Sequence, residues 1–317
     1  MSNSADNSAN NSADNSADNS ADNSANNSAN NSADNSADTS NEDWKSINNL
    51  TNAELKAWEP FEPSFETPRS IFPISDIHTE FYDSAQDAFN AVRWGTATHL
   101  VLAGDIGNVS IKSKIYKDFL MLCKKRYKNV VLIPGNHEYY KCENDRTAVQ
   151  EKLQKMCEET GVIYIHRKNV AVDGIRFIGA TLWSIISEGA VNKIADFSNR
   201  VFDSQYEYVC EYVDDARFIQ SELLKSLDSD EPTVVVSHHL PTKRLTHPRF
   251  MGYNELNTAF YSDLINHITL CGAKMWVCGH THESATLKVE DTQFVVNPVG
   301  YPGEYRMTNA SSKTYEI

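Results

Sequence analysis

The first forty residues lack basic side chains, aromatics, glycine and proline, and their only apolar groups are alanines and Met1. They are NSAD and NSAN units in succession. Such a stretch cannot bury enough surface to offset the entropy of ordering. Residues 1–66 are therefore expected to be a disordered low-complexity tail and linker, with the folded domain at 67–317. The tail also lacks the basic and hydrophobic segments of a secretory leader. The longest aliphatic runs, such as VVLI and TVVV, are far too short to span a bilayer. Six cysteines, at 123, 142, 157, 210, 271 and 278, form no C-x-x-C pair. They read as reduced core thiols and not as a disulfide framework. Positive charge is also scarce. Of the net −14, six charges lie in the repeat at Asp6, Asp14, Asp18, Asp22, Asp34 and Asp38, so the remainder carries −8. An acidic body argues against general nucleic-acid binding or an anionic-membrane surface. The expectation is a soluble, cytoplasmic protein.

From residue 67 the composition becomes globular, and short apolar runs alternate with longer segments of helical period, the pattern of α/β layering. SIFPIS (70–75) precedes an expected helix over 83–94. HLVLA (99–103) precedes one near 111–126, and NVVLIP (129–134) one near 144–159. Asp173-Gly174 separates two β-like runs within 169–179, a hairpin signal. A second hairpin is expected over 284–297. Helices are expected over 205–227 and about 256–270, and TVVVS (233–237) and KMWVC (274–278) read as buried strands.

Each of five buried strands releases a polar cluster at its carboxyl end. Asp76-Ile77-His78 follows the first, Gly104-Asp105-Ile106-Gly107-Asn108 the second, and Gly135-Asn136-His137-Glu138 the third. His238-His239 and Gly279-His280-Thr281-His282 follow the last two. That edge of an open α/β sheet is where ligands bind, and Asp, His and Asn are metal-ligating types. In a strand-like exit, residues i and i+2 face the same side, so Asp76 with His78, and His280 with His282, can converge. A carboxylate can bridge two cations where an imidazole cannot. In this order and at equivalent strand ends, the clusters mark a metal site.

The ordered set D-x-H, G-D-x-x-N, G-N-H-E, H and G-H-x-H resembles the calcineurin-like metallophosphoesterase superfamily. PGNHEYY, GATLW, SHHLPT, GHTHES and NPVGYPGE are similar to its Ser/Thr-phosphatase-like branch. The resemblance runs from about Ile71 to Glu304. It implies a four-layer α/β/β/α sandwich of two mixed sheets, with both hairpins in the second sheet. It also implies two divalent metal ions. Asp76, His78, Asp105 and His282 would surround one, and Asp105 would bridge to a second held by Asn136, His238 and His280. Nitrogen and oxygen ligands without thiolate fit Mn²⁺, Fe or Zn²⁺, with Mn²⁺ the first choice.

By the same resemblance the two metals activate a hydroxide for in-line displacement, and His137 assists the departing oxygen. Glu138 could back a ligand histidine or begin the next turn. His239 and Arg200 are candidate phosphate contacts, Arg200 in an overhanging segment (181–202), with Arg249 and Tyr253 in a second segment (247–256). His99, His166, His247 and His267 receive no role, and Cys278 is read as core. The expected activity is hydrolysis of a phosphomonoester or phosphodiester. The alternatives are a phosphoprotein phosphatase and a scaffold that binds metal without catalysis.

Overall fold

A computed structural model describes residues 69–306 and 308–317; the expected tail and its junction at 66/67 lie outside the described residues. The chain alternates strand and helix as the apolar runs require. β1 (Ser70–Ile74) leads to α1 (Ala85–Asn90), β2 (His99–Ala103) to α2 (Ser113–Arg126), and β3 (Asn129–Ile133) to α3 (Arg146–Thr160). Polar caps set the helix starts: Ser84 accepts from the Asp87 N–H, and Asp145 from that of Ala148. Gly161, at φ 71°, ends α3 in the left-handed conformation that glycine adopts at little cost. The short β4 (Ile163–Tyr164) closes this run.

The hairpin β5 (Lys168–Val172)–β6 (Ile175–Gly179) turns at Asp173 and Gly174, both with positive φ. After the small helices α4 (Glu188–Val191) and α5 (Ala195–Ser198) comes the long α6 (Gln205–Ser226). Then follow β7 (Thr233–Val236), β8 (Met275–Cys278), the hairpin β9 (Ala285–Val289)–β10 (Thr292–Val296), and β11 (Tyr315–Glu316). One sheet has the order β11-β1-β2-β3-β4 and the other β5-β6-β7-β8-β10-β9. Both are mixed. Their centres are parallel, and β11, β5 and β9 pair antiparallel at the edges. Both hairpins lie in the second sheet, as the resemblance implies.

The sandwich follows from strand alternation. Ile71, Val101, Ala103, Val131 and Ile133 of the first sheet share one apolar cluster with Phe177, Val234, Val236, Met275, Val277 and Val295 of the second. Their strand neighbours Phe72, Leu100, Leu102, Val130 and Leu132 belong to another cluster, which holds Phe119 and Cys123 of α2 and Leu153 and Cys157 of α3. Ile178, Val235, Trp276 and Phe294 join Tyr208, Ile219 and Leu223 of α6 in the same way. Because both sheet faces are covered, the central strands read as continuous apolar runs and not as alternating ones.

One expected helix does not form. Residues 256–270 make two 3-10 turns, Leu256–Ala259 and Leu264–Asn266, around an isolated β-bridge between Leu240 and Tyr261. Leu240 donates its N–H to the Phe260 carbonyl at 3.0 Å and accepts from the Ser262 N–H at 2.9 Å. That long-range pairing overrides the local helical period. All six cysteines are free, with 123, 142, 157 and 278 buried and 210 and 271 half-buried. Among the described residues no helix is long and apolar enough to cross a membrane.

Candidate metal centre

The five strand-end clusters meet at one edge of the sandwich. The exits from β1 and β2 are laced together: the Asp76 N–H donates to the Gly104 carbonyl at 3.0 Å, His78 to Asp105 at 3.0 Å and Thr79 to Ile106 at 2.9 Å. Glycine is required in the second and third clusters. A Cβ on Gly104 would stand 2.5 Å from His238 Nδ1, and one on Gly135 2.2 Å from Asp105 Oδ1.

Side chains converge in three overlapping groups whose ligand atoms lie within 4.8 Å of one another: Asp76, His78 and His282; His78, Asp105 and His137; and Asp105, His238 and His280. Asp105 Oδ2 is 3.9 Å from His78 Nε2 and 3.3 Å from His238 Nε2, so this carboxylate spans the two ends of the cluster. Asn136 Oδ1 is 3.1 Å from His238 Nε2, and Asp76 Oδ1 is 3.4 Å from His282 Nε2. All seven expected ligands are therefore brought together.

The route to convergence differs from the expected strand alternation. Asp76, His78, Asp105, His280 and His282 all have positive φ, between 50° and 72°. The chain thus leaves β1, β2 and β8 through left-handed residues. Such backbone costs of order 1–3 kcal/mol per residue and concentrates where function over-determines it.

The imidazoles are oriented from behind. His282 Nδ1 lies 2.7 Å from Glu304, His78 Nδ1 3.4 Å from Glu80, and His238 Nδ1 2.9 Å from the Ala103 carbonyl. An ionised carboxylate or a carbonyl only accepts, so each of these Nδ1 atoms carries hydrogen and Nε2 is the ring atom free to take a cation. The Nε2 atoms of His78 and His282 stand 3.1 Å apart, close enough for one cation to take both. Imidazole, carboxylate and amide oxygen without thiolate are the donors of Mn²⁺, Fe or Zn²⁺ sites, and the residues fit divalent metal ions.

Asp105 and Glu80 keep their charge. Burial alone would raise Asp105, but the imidazoles of His238 and His137 hold it well below the usual carboxylate range. Burial likewise opposes charge on Glu80, and its hydrogen bonds to His137 and His78 draw it down to about 2.

His137 is backed at Nδ1 as His78 is, but its Nε2 meets a hydroxyl. Its Nδ1 is 2.9 Å from Glu80 Oε1, and its Nε2 is 3.0 Å from the Tyr301 hydroxyl. Its main-chain N–H donates to Asp105 Oδ1 at 2.8 Å. Glu138 takes neither a purely local role nor one behind an imidazole. Its buried carboxylate accepts from the N–H groups of Gly135 (2.7 Å), Asp105 (3.0 Å) and Ile106 (2.8 Å) and from the Tyr116 hydroxyl (2.9 Å). It clasps the second and third clusters together.

His239 is fully buried, its ring packed at a tilt against His280 at 4.1 Å, with Nε2 3.3 Å from the Tyr208 hydroxyl. Arg200 is 64% exposed and pairs with Glu143, apart from the cluster. Arg249 pairs with Glu283 at 2.9 Å, and Tyr253 is exposed. Glu80, Tyr301 and Glu304 are among the site residues that were not anticipated. Glu80 carried a signal, standing two residues beyond a ligand histidine. Tyr301 and Glu304 lie in the NPVGYPGE loop, where no spacing distinguishes them from turn residues.

Residues 70–284 match the model of the calcineurin-like phosphoesterases. The chain belongs to that family: it is a metallophosphoesterase, a hydrolase of phosphate ester bonds. It is 28% identical over 267 residues to "Uncharacterized protein L509" of Acanthamoeba polyphaga mimivirus, covering 73% of this chain and 91% of that protein. It is 25% identical over 267 residues to the "[Acyl-carrier-protein] phosphodiesterase PptH" of Mycobacterium tuberculosis, covering 75% of this chain and 79% of that one. The crystal structure of phosphopantetheinyl hydrolase (PptH) from the same organism superposes with a TM-score of 0.55 at 23% identity, over 74% of this chain and 90% of that chain.

Proposed function

We propose that the protein hydrolyses a phosphoester of a small molecule, with His137 as proton donor to the departing oxygen. The likeness to PptH, named an [acyl-carrier-protein] phosphodiesterase, favours a diester over a monoester. The observation that carries the proposal is the placement of His137. Its main chain is tied to Asp105, while its Nε2 faces a hydroxyl and not a ligand side chain.

Asp76, His78, His282 and Asp105 would hold one cation, and Asp105, Asn136, His238 and His280 the other. When bound, the two cations supply a nucleophile at neutral pH and offset phosphoryl charge. Mn²⁺ is the first metal to test, with Fe and Zn²⁺ suited to the same donors. The neutral Asn136 limits negative charge where an anion must approach. Asp105 holds the His137 main chain, so metal site and proton donor move as one unit.

The test is turnover of phosphomonoesters, phosphodiesters and phosphopeptides by purified protein with Mn²⁺, for wild type and His137→Gln. Glutamine donates no such proton, while all ligands remain. The variant should keep its metals and lose about 10²–10⁴ in rate, far more on alkyl than on nitrophenyl esters. A nitrophenolate leaves without a proton and an alkoxide does not. No loss on either ester would remove His137 from the mechanism; preference for phosphopeptides would replace the small-molecule reading.

A further inference from the structure

Resting on the reading of His137 as proton donor, we propose that Glu80 is its positioning residue: it keeps a proton on Nδ1 and thereby aims Nε2 at the departing oxygen. Glu80 lies in the 3-10 turn Thr79–Phe81, immediately beyond the first ligand pair, with its side chain 6% exposed. Its Oε1 is 2.9 Å from His137 Nδ1 and 3.4 Å from His78 Nδ1, and its Oε2 has no hydrogen-bond partner among the described residues. The carboxylate is thus committed through one oxygen, and the shorter contact is to His137. Because an ionised carboxylate can only accept, that contact requires hydrogen on Nδ1. Nε2 is then the only ring atom left to exchange a proton, and the Tyr301 hydroxyl at 3.0 Å marks where it points.

Among the described residues, no other polar side chain bonds Nδ1 of the ring. Asn108, in the second cluster, donates from Nδ2 to the carbonyls of His137 (2.9 Å) and Tyr140 (3.0 Å). Its Oδ1 accepts from the N–H groups of Ser110 and Ile111 at 2.8 and 2.7 Å. It therefore holds the main chain of His137 and not its ring. Glu138 is engaged by the N–H groups of the strand exits.

In the step itself, oxygen from water bonds to phosphorus as the ester P–O bond breaks, with its electron pair going to the departing oxygen. That oxygen takes the Nε2 proton, the ring keeps its Nδ1 proton, and the proton lost by water restores Nε2–H. Without Glu80 the ring can take the other tautomer or turn, and the donor position is no longer defined.

The experiment compares full-length wild type, Glu80→Gln, His137→Gln and the double variant at saturating Mn²⁺, with metal content measured and rates taken on nitrophenyl and methyl phosphodiesters. Glu80→Gln should lose about 10–100-fold in kcat on the methyl ester and under about threefold on the nitrophenyl ester, within the range of proton donation. The double variant should be no slower than His137→Gln. Equal losses on both esters, or losses that multiply in the double variant, would overturn the proposal and place Glu80 behind His78 alone. Should His137→Gln show no leaving-group dependence, the proton-donor reading fails, and the ring itself decides the role of Glu80. In long-range ¹H–¹⁵N spectra of the Zn²⁺-loaded full-length protein, the His137 ring should carry hydrogen on Nδ1 and lose that preference in Glu80→Gln. An unchanged tautomer would overturn it.

Discussion

The two ends of the metal cluster are built from the same residue types but supported differently. At one end, His78 and His282 are backed by carboxylates from outside the sheets, Glu80 in a 3-10 turn and Glu304 in the loop after β10. At the other, His238 is backed by the carbonyl of Ala103, the last residue of β2, and His280 lies between the rings of His239 and Phe260, at 4.1 and 4.8 Å. A carboxylate behind a ligating imidazole raises its basicity, while a carbonyl mainly fixes its direction. The first end can therefore be tuned by single side chains, and the second is part of the sheet's own framework. Asp105 belongs to both.

The largest effect should come from removing that shared element. Asp105→Asn is nearly isosteric, but it takes away the charge facing His78 and His238. It also weakens the acceptor for the His137 main chain. Both metals should be depleted, from about two per chain, and the rate should fall by several kcal/mol of transition-state stabilisation, or about 10²–10⁴-fold. Metal analysis alongside turnover checks this. Full activity without bound metal would refute a metal-dependent mechanism.

The next effect separates the ends. Gly104→Ala would place a methyl carbon 2.5 Å from His238 Nδ1 and 2.7 Å from the Gly135 main chain, at φ +84°. It should cost about 1–3 kcal/mol of stability and release the metal held by Asn136, His238 and His280. The Asp76, His78 and His282 end should still load. The opposite case is Glu304→Gln, which removes the charge behind His282 and leaves the sheet untouched. Metal affinity at the first end should fall about 10–100-fold with the second end unchanged. Titration with Zn²⁺ resolves the two ends, and equal weakening at both would show that they are not independently supported.

The same difference explains what could be read from residues alone. The strand-end clusters that hold the seven expected ligands were legible, because buried strands announce themselves as apolar runs and each delivers its cluster at its own carboxyl end; the sorting of those residues into two metal positions came from the family resemblance. Their backbone was not. Left-handed φ at Asp76, His78 and Asp105 accompanies the lacing of the β1 and β2 exits, a long-range feature. Glu304 and Tyr301 were hidden because the side chains they touch lie 22 and 164 residues away in sequence. The helix expected over 256–270 failed for a related reason: Leu240 captures Tyr261 in a bridge that local periodicity cannot foresee.

The smallest effect should come from a residue outside both ends. Arg200, in the segment expected to overhang the site, has a side chain 64% exposed and paired with the equally exposed Glu143. Exposed pairs of this kind contribute about 0–1 kcal/mol. What holds the segment is its main chain: the Arg200 carbonyl accepts from the Asn144 N–H at 2.8 Å, and its own N–H reaches the Phe197 carbonyl at 3.1 Å. Arg200→Ala keeps both bonds. Stability should change by less than about 1 kcal/mol, and kcat/KM by less than about threefold, far below the tenfold that 1.36 kcal/mol would produce. The readout is the split between constants. A tenfold rise in KM at unchanged kcat would mean that the guanidinium leaves Glu143 to bind substrate as strongly in the ground state as in the transition state. The 181–202 segment would then count as a third, mobile support beside the two ends. Unchanged constants assign Arg200 to the surface and leave substrate contacts to residues nearer His137.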